Sequence, residues 1–267
     1  MSDRFELTGS RALVTGATGG LGHAIARALH GRGVELVLTG RRADVLQPLA
    51  DELNATAIAA DLSSSDDLER LVSEAGRIDV LVLNAALPGS GAVLDYTPDQ
   101  IERAVQVNIL SPALLARRFG AEMVDRRRGH IVFIGSLSGL AATKGTGIYS
   151  MTKFGVRGLA HGLRQDLHGT GVGVSIVQPG FVRDAGMFAD TGLKPPPGAG
   201  TATPRQVTDA VISAVERDRA EVNVAPRVLR FAARVGGLAP GLSATLARRL
   251  GSDKHAAEFA DRQKDKR

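Results

Sequence analysis

A glycine-rich turn between a predicted strand and a predicted helix constrains the fold of this chain more than any other segment. Residues 11–15, Arg-Ala-Leu-Val-Thr, are typical of a short buried strand and run into Gly16-Ala-Thr-Gly-Gly-Leu-Gly22, which opens an apolar-periodic helix. A second strand at 34–39 follows about 20 residues further on and completes a βαβ unit. Glycines let the backbone approach a ligand closely, and a helix N-terminus presents free N–H groups to a phosphate. The sequence therefore predicts a phosphate-binding turn, with a turn that serves packing alone as the alternative.

Strands and helices continue to alternate along the chain, which predicts an α/β fold with a parallel sheet. The segment 98–125 is predicted to be one long helix that contains Asn108, with a kink at Pro112 about one turn later. Asn108 lies among apolar residues, so we expect its amide to be buried and hydrogen-bonded. Apolar runs typical of buried strands recur at 55–60, 78–84, 129–135, 172–177 and 220–224.

Composition favours one domain and excludes several classes of chemistry. The chain has 267 residues, of which 43% are hydrophobic, and no proline-rich or charge-rich linker divides it. We assign 1–225 to a catalytic domain and 226–267 to a helical extension of the same domain. The chain contains no cysteine, which excludes disulfides, thiol chemistry and thiolate metal sites. We predict no metal centre.

The cellular location and the class of partner are predicted from charge and hydropathy. The start of the chain is polar and contains acids, unlike a targeting peptide, and no apolar run approaches the ~20 residues of a membrane helix. We therefore predict a cytoplasmic protein. The net charge of +5 and the pI near 9.9 could indicate nucleic-acid binding. The positive charge is spread, however, and the aromatic residues are only eight Phe and two Tyr, so we do not expect nucleic acid as a partner.

In a βαβ unit that binds a dinucleotide, the residues after the second strand lie beside the adenosine ribose. They therefore indicate whether NAD(H) or NADP(H) fits. An NAD site usually has a carboxylate there, whereas this chain has Gly40, Arg41 and Arg42. Because a guanidinium suits a 2′-phosphate, we favour NADP(H) over NAD(H). The alternative is that the two arginines only begin the helix at 43–53. Asp61, after the third strand, could accept a hydrogen bond from adenine or could simply cap the next helix.

A tyrosine and a lysine four residues apart are candidates for proton transfer. If Tyr149 begins a helix, Lys153 lies one turn further along the same face. A phenol loses its proton near pH ~10, and one cation at ~4 Å can lower that pKa by the roughly 3 units needed at neutral pH. Ser136 follows the strand at 129–135, at the sheet edge where ligands bind. We expect Ser136 to contact a substrate oxygen.

These features together resemble the short-chain dehydrogenase/reductase family, of the compact type with roughly 250 residues. The similarity runs from about residue 8 to about residue 225, with the motifs in order. It implies a Rossmann-like, doubly wound sheet of about seven parallel strands with helices on both faces. It also implies hydride transfer between NAD(P)(H) and a carbonyl or a secondary alcohol.

The resemblance also implies roles for individual residues. Tyr149 would be the general acid and base, and Lys153 would lower its pKa and hold the nicotinamide ribose. Ser136 would hydrogen-bond the reacting oxygen, and Asn108 would hold a water in the proton path. The expected cofactor contacts are Thr15, Gly16, Thr18, Gly20, Leu21, Gly22, Arg41, Arg42, Asp61, Leu62, Asn84, Ala85, Tyr149, Lys153, Pro179, Gly180 and Val182.

The chain departs from the family pattern at three places. Leu83-Asn84-Ala85-Ala86 replaces the family's Asn-Asn-Ala-Gly, which removes groups that support strand four and admit the cofactor. Asp184 occupies the position of a threonine that contacts the carboxamide, and a carboxylate can accept from the amide NH₂ but cannot donate to its oxygen. The serine element is Gly135-Ser136 rather than two serines, a change from which we expect little effect.

The segment 185–204 is rich in glycine and proline and resembles the family's substrate lid. Met187, Phe188 and Leu193 would either face an apolar substrate or pin the loop to the surface.

The C-terminal extension is basic and amphipathic. Arg227, Arg230 and Arg234 share a helical face beside Val228, Phe231 and Val235. Such a stretch can bind an anionic membrane, cover a substrate pocket or dock on another subunit. Leucines follow at four-residue spacing, at Leu238, Leu242, Leu246 and Leu250.

We therefore predict an NADP(H)-preferring oxidoreductase that acts on an apolar ketone or secondary alcohol. One alternative is a cofactor-binding sensor or scaffold without turnover, and another is a lipid-directed reductase at a membrane surface. The resemblance suggests a homodimer or homotetramer that packs through the helices at 98–125 and 149–168.

Overall fold

The computed structural model describes residues 5–196, 198–249 and 252–264. As predicted, the seven strands of the described residues are parallel and form one sheet, and their order is β3-β2-β1-β4-β5-β6-β7. The chain winds outward in both directions from the neighbours β1 and β4, which creates a crevice between their carboxyl ends. The strands are β1 (Arg11–Thr15), β2 (Glu35–Gly40), β3 (Thr56–Ala59), β4 (Val80–Leu83), β5 (Gly129–Ile134), β6 (Val172–Pro179) and β7 (Glu221–Val224).

Ten α-helices lie within the described residues, and they cover both faces of the sheet. One face packs on the first, second and seventh helices through side chains such as Ile25, Leu46 and Val211. The other face packs on helices three, five and six through Leu71 and Phe119, among others. The helices are α1 (Gly20–His30), α2 (Ala43–Leu53), α3 (Ser65–Ala75), α4 (Pro98–Val105), α5 (Ser111–Asp125), α6 (Gly147–Asp166), α7 (Pro204–Glu216), α8 (Arg227–Leu238), α9 (Pro240–Arg249) and α10 (Ser252–Gln263).

The segment predicted as one helix with a kink at Pro112 is instead two α-helices joined by a π-helical turn. The turn runs from Gln106 to Leu110, so it begins before Asn108 and contains it. Pro112 has no N–H and cannot donate to the Asn108 carbonyl four residues earlier, which disfavours a continuous α-helix here. The Ser111 N–H instead bonds the Gln106 carbonyl, five residues back. The interruption therefore lies at Asn108 itself, and one-turn π-bulges of this kind are frequent at functional sites.

The irregular character predicted for residues 185–204 is confirmed. The segment contains one short 3₁₀ turn, Ala189–Thr191, and Thr203 caps α7. Within the described ranges, no helix has both the length and the apolar character that crossing a bilayer requires. Leu250 and the side chain of Leu246 lie outside the described part of the chain.

Candidate active site

Ser136 follows β5, at the carboxyl edge of the sheet. Ser136 caps a 3₁₀ turn, Leu137–Gly139, by accepting a hydrogen bond from the Ser138 N–H at 3.1 Å. The turn lies directly against α6, since a Cβ on Gly139 would come within 2.7 Å of the Lys153 carbonyl oxygen. This close approach brings the Ser136 hydroxyl to the first turn of α6.

Tyr149 and Lys153 lie on the first two turns of α6, on the side that faces Ser136. The Ser136 hydroxyl lies close enough to the Tyr149 phenol to act on its pKa as a hydrogen-bond partner. Lys153 is only 4% exposed, and its Nζ donates to the Ile134 carbonyl at 3.0 Å while lying 5.6 Å from the centre of the Tyr149 ring. The structure thus brings together three of the four residues predicted to be catalytic.

Burial has the largest effect on the pKa values of this pair, and the prediction that Lys153 lowers the pKa of Tyr149 stays a prediction. Burial raises the pKa of Tyr149 to about 12, against the opposing effect of the hydrogen bond with Ser136. Burial also lowers the pKa of Lys153 to about 8. The four-residue spacing indicates the attraction of the ammonium but not the desolvation of both groups. At neutral pH the phenol is therefore protonated, as a proton donor must be.

The buried ammonium of Lys153 should cost stability. Its pKa is about 8 in the fold, against an ordinary value of 10.5 for lysine, and the difference corresponds to about 3 kcal/mol at pH 7. The lost hydrogen bond to Ile134 offsets about 1 kcal/mol of this when the lysine is replaced. We therefore expect Lys153→Met to raise the free energy of urea unfolding at pH 7 by about 2 kcal/mol.

The pH dependence of that difference provides the check. The folded state resists protonation of Lys153, so the stability cost is full below pH 8 and disappears as the pH rises towards 10.5. The gap between Lys153→Met and the wild type should accordingly shrink by pH 10. Lys194→Met, at an exposed lysine, is the control. A gap that does not change with pH would contradict this explanation.

Asn108 is buried and hydrogen-bonded, as predicted, and it joins the loop after β4 to α6. Its Oδ1 accepts from the Leu87 N–H at 2.7 Å, and its Nδ2 donates to the Leu87 carbonyl at 3.0 Å and to Thr152 Oγ1 at 3.2 Å. Both N–H donors of the amide are thus used within the protein. The expected role of holding a water stays a prediction, and no spare side-chain donor is left for it.

Two residues at this site could not be singled out from the sequence. The Thr152 hydroxyl accepts a hydrogen bond from the Asn108 amide and donates one to the Tyr149 carbonyl at 2.9 Å. Gly89 lies against the start of α6, where a Cβ would come within 2.8 Å of the Tyr149 N–H nitrogen. In the sequence, both are small residues among apolar ones, and such residues are too common to indicate a functional site.

The glycine turn fits a phosphate. Gly16 has φ +66°, and a Cβ on Gly22 would lie 2.2 Å from the Gly16 carbonyl oxygen, so the turn closes tightly under α1. Helix α1 begins at Gly20 with no side-chain cap and no acidic residue in its first turn. Its positive end is therefore left for an anion, and Leu21 lies within this first turn. The segment predicted as a lid reaches the start of α1, because the Gly186 nitrogen would lie 3.1 Å from a Cβ on Gly20.

The altered element at the end of β4 still supports the sheet. The Thr15 hydroxyl accepts from the N–H groups of both Asn84 and Ala85 at 3.0 Å. The Asn84 amide donates back to the carbonyls of Thr15 and Gly16, at 2.9 and 3.2 Å. The side chains of Thr15 and Asn84, predicted as cofactor contacts, are thus used to join β1 to β4.

The residues after β2 form a positive corner beside the glycine turn. Arg41 and Arg42 are exposed, and Arg42 donates to the Thr18 carbonyl at 2.7 Å. A Cβ on Gly40 would lie 2.7 Å from the methyl group of Thr18. Thr18 therefore leaves no room for a side chain at position 40, including the carboxylate of an NAD site.

Asp61 lies near this corner and does not cap a helix. Its Oδ1 accepts from the backbone and the hydroxyl of Ser63, at 2.9 and 2.7 Å, whereas Ser64 caps α3. The capping alternative was therefore wrong, because the helix begins four residues later than Asp61. Burial would raise the pKa of Asp61, but the bonds from Ser63 and the charge of Arg41 lower it below its usual value. The next residue, Leu62, is buried.

Strand β6 ends at Pro179, at the carboxyl edge of the sheet. The Gly180 N–H bonds the Val224 carbonyl at 3.0 Å, and Val182 is buried. Asp184 has φ +70°, and its exposed carboxylate lies 3.5 Å from Arg183 Nε. The side chain at the usual threonine position is therefore directed to a neighbouring surface arginine.

Helix α10 packs on the segment 185–204, which is predicted to be a substrate lid. Phe188 lies between Phe181 and Phe259, with ring centroids 4.8 and 6.0 Å away. Gln263, which is buried, donates to the Met187 carbonyl at 3.3 Å. Phe188 thus holds the lid to the end of the chain, which supports the pinning alternative for this residue.

Comparison with known proteins gives consistent matches. The family model described as short chain dehydrogenase matches residues 10–195. Ketoacyl reductase HetN of Nostoc sp. is 36% identical over 227 residues, covering 82% of this chain and 79% of that protein. A short-chain dehydrogenase from Sphingobium yanoikuyae, solved with NADPH, has a TM-score of 0.75 at 29% identity, over 87% of this chain and 94% of its own. A serine dehydrogenase solved with NADP⁺ has a TM-score of 0.73 at 31% identity, over 82% and 95%.

Proposed function

Because this chain belongs to the short-chain dehydrogenase/reductase family and is an NAD(P)-dependent oxidoreductase, we propose that it interconverts a carbonyl and a secondary alcohol with Tyr149 as general acid and base. The observation that carries the proposal is the close approach of the Ser136 hydroxyl to the Tyr149 phenol, beside the Lys153 ammonium. All three lie at the carboxyl edge of the sheet, next to a glycine turn that fits a phosphate.

Each side chain has a distinct part in carbonyl reduction. The nicotinamide cofactor, when bound, supplies the hydride. Tyr149 donates its phenolic proton to the carbonyl oxygen as negative charge develops there, and Ser136 donates a hydrogen bond to the same oxygen. The Lys153 ammonium stabilises the phenolate that Tyr149 leaves behind. Oxidation of an alcohol is the reverse.

We further propose that NADP(H) is the preferred cofactor. The support is the pair of exposed guanidinium groups, Arg41 and Arg42, beside the turn, and the absence of space for a carboxylate at Gly40. Two solved relatives contain NADPH or NADP⁺. Asp61 remains the proposed adenine contact, because Ser63 engages only one of its two carboxylate oxygens, Oδ1.

Fluorescence titration with NADPH and with NADH tests this preference. We expect the wild type to bind NADPH more tightly. A charge-assisted hydrogen bond contributes about 1.5 kcal/mol or more, so Arg41→Gln and Arg42→Gln should each weaken NADPH binding roughly tenfold and leave NADH binding unchanged. Arg205→Gln, at an exposed arginine on α7, is the matched control.

The outcomes of the titration separate three explanations. Equal losses for NADPH and NADH would mean that the arginines stabilise the turn without contacting a 2′-phosphate. Tighter NADH binding by the wild type would overturn the preference but keep the enzyme. NADPH binding without turnover of any carbonyl in a broad screen would favour the sensor alternative.

We also propose an apolar substrate, from residues of the predicted lid, and a homo-oligomer, from exposed apolar side chains. The apolar lid residues Met187 and Leu193 support an apolar substrate, in keeping with a relative named as a ketoacyl reductase. Exposed apolar side chains on α5 and α6, such as Leu114, Met151 and Phe154, support a homodimer or homotetramer. Sedimentation velocity would test the assembly, and cell fractionation the cytoplasmic location.

A further inference from the structure

Helix α8 has one face fixed to the catalytic edge and the opposite face in solvent. On the inner side, a Cβ on Gly236 would lie 2.9 Å from the Ala141 Cβ, and one on Gly237 would lie 2.5 Å from the Leu140 carbonyl oxygen. These contacts seat α8 on the segment that follows Ser136. The helix is therefore held in place by close backbone packing, independently of anything that covers its outer side.

The outer face of α8 and the start of α9 carry an apolar ridge. Its members are 38% to 88% exposed. The four on α8 recur at intervals of three or four residues and form one stripe, and Leu242 is exposed on α9, beyond the helix break at Ala239. Single exposed apolar residues are normal, whereas a stripe of four on one helix indicates a binding surface. The ridge consists of Val228, Phe231, Val235, Leu238 and Leu242.

Basic residues accompany the ridge without compensating acids. Arg227 and Arg234 are exposed and Arg230 is half-buried. Within the described ranges, no carboxylate forms an ion pair with any of the three. The sequence from 222 to 252 contains no Asp, Glu or Lys, and its five arginines are Arg227, Arg230, Arg234, Arg248 and Arg249.

We propose that the ridge and its arginines dock this protein on the surface of an anionic lipid bilayer. A helix with apolar residues on one face and only positive charge beside them inserts its apolar side at the acyl boundary while its cations meet the anionic headgroups. A second copy of this chain fits less well. A two-fold contact through the ridge would bring three arginines from each copy into one interface without carboxylates from the same stretch to pair with them, and like charges repel.

Docking in this orientation would bring the active site close to the lipid. The inner face of α8 contacts the segment after Ser136, and a Cβ on Gly180 would lie 3.1 Å from the Leu229 side chain. The catalytic edge is then separated from the membrane by about one helix diameter, ~10 Å. Docking itself does not depend on the proposed reaction, so its test needs no turnover.

Co-sedimentation of the full chain with vesicles tests the proposal. We expect binding to mixed phosphatidylglycerol and phosphatidylcholine vesicles at low salt, and much weaker binding to phosphatidylcholine alone. Replacing Arg227, Arg230 and Arg234 by glutamine should lower partitioning on the order of 100-fold, since each cation near an anionic surface contributes about fivefold. Phe231→Ser combined with Leu238→Ser should lower it by a similar factor, roughly tenfold for each side chain.

Matched variants control for charge and for hydrophobicity elsewhere on the surface. Arg205, Arg217 and Arg219 replaced by glutamine remove the same charge from α7 and the turn after it. Leu94→Ser removes a leucine that is 96% exposed in a distant loop. Both controls should bind vesicles like the wild type, and all variants should bind NADPH, which shows that they are folded.

Three results would overturn the docking proposal. The first is a wild type that does not bind anionic vesicles at low salt. The second is binding that survives in both the arginine and the ridge variants. The third is a wild-type oligomer that dissociates in the Phe231→Ser, Leu238→Ser variant, with neither protein binding vesicles. This result would make the ridge a subunit interface.

Discussion

Replacing Tyr149 by phenylalanine should lower the rate of carbonyl reduction by roughly 10³-fold, within the range that a general acid contributes. The ring of phenylalanine fills the same space, but it has no proton to donate and no hydroxyl to bond with Ser136. NADPH binding should stay close to that of the wild type, because the glycine turn and the arginine corner are unchanged. The measurement is single-turnover reduction with saturating NADPH.

The chain provides a matched control for this experiment. Its other tyrosine, Tyr96, is buried, and its hydroxyl donates to the Ser90 carbonyl at 3.2 Å. Tyr96→Phe should therefore cost about 1 kcal/mol of stability and leave turnover intact. Retained turnover in Tyr149→Phe, or an equal loss in both variants, would remove Tyr149 from the catalytic role.

Acid should destabilise the fold through one buried histidine. His130, on β5, is 1% exposed, and its Nε2 lies 2.8 Å from Ser175 Oγ. Burial lowers its pKa to about 4, against the raising effect of the Asp218 charge. The unfolded chain takes up a proton near pH 6.5 and the fold does not, so stability present above pH 6.5 is lost as the pH falls towards 4. The expected loss is about 3 kcal/mol.

Comparison with His130→Asn isolates this effect from other acid-sensitive groups. The free energy of urea unfolding should fall between pH 7 and pH 4 by about 3 kcal/mol less in that variant than in the wild type. His168→Asn, at an exposed histidine, should follow the wild type. Identical pH profiles for His130→Asn and the wild type would contradict the assignment.

The sheet and the grouping of Ser136, Tyr149 and Lys153 could be predicted from the sequence because they depend on local patterns. Apolar runs of strand length and a glycine turn identify parallel strands and a tight strand-to-helix turn from a few adjacent residues. Ser136 could be placed because it follows such a run directly. Tyr149 and Lys153 are four residues apart on one helix, so a single helical turn fixes their relation.

The remaining features depend on contacts between distant segments, which local patterns do not contain. Pro112 signalled an interruption, but only the packing around Asn108 places it in the π turn. The desolvation that raises the pKa of Tyr149 comes from the whole surrounding site. The exclusion of a side chain at Gly40 by Thr18 requires two segments 22 residues apart to meet, which the sequence alone did not indicate.

The aromatic contact between Phe188 and Phe259 joins the segment predicted to be the substrate lid to α10, the last described helix. Any movement of residues 187–191 away from the glycine turn has to unstack Phe188 from Phe259 and break the bond between Gln263 and Met187. An aromatic pair contributes about 0.5–1.5 kcal/mol beyond its buried area. Detachment of the last described helix should therefore accompany any movement of this segment, which is the one predicted to be the substrate lid.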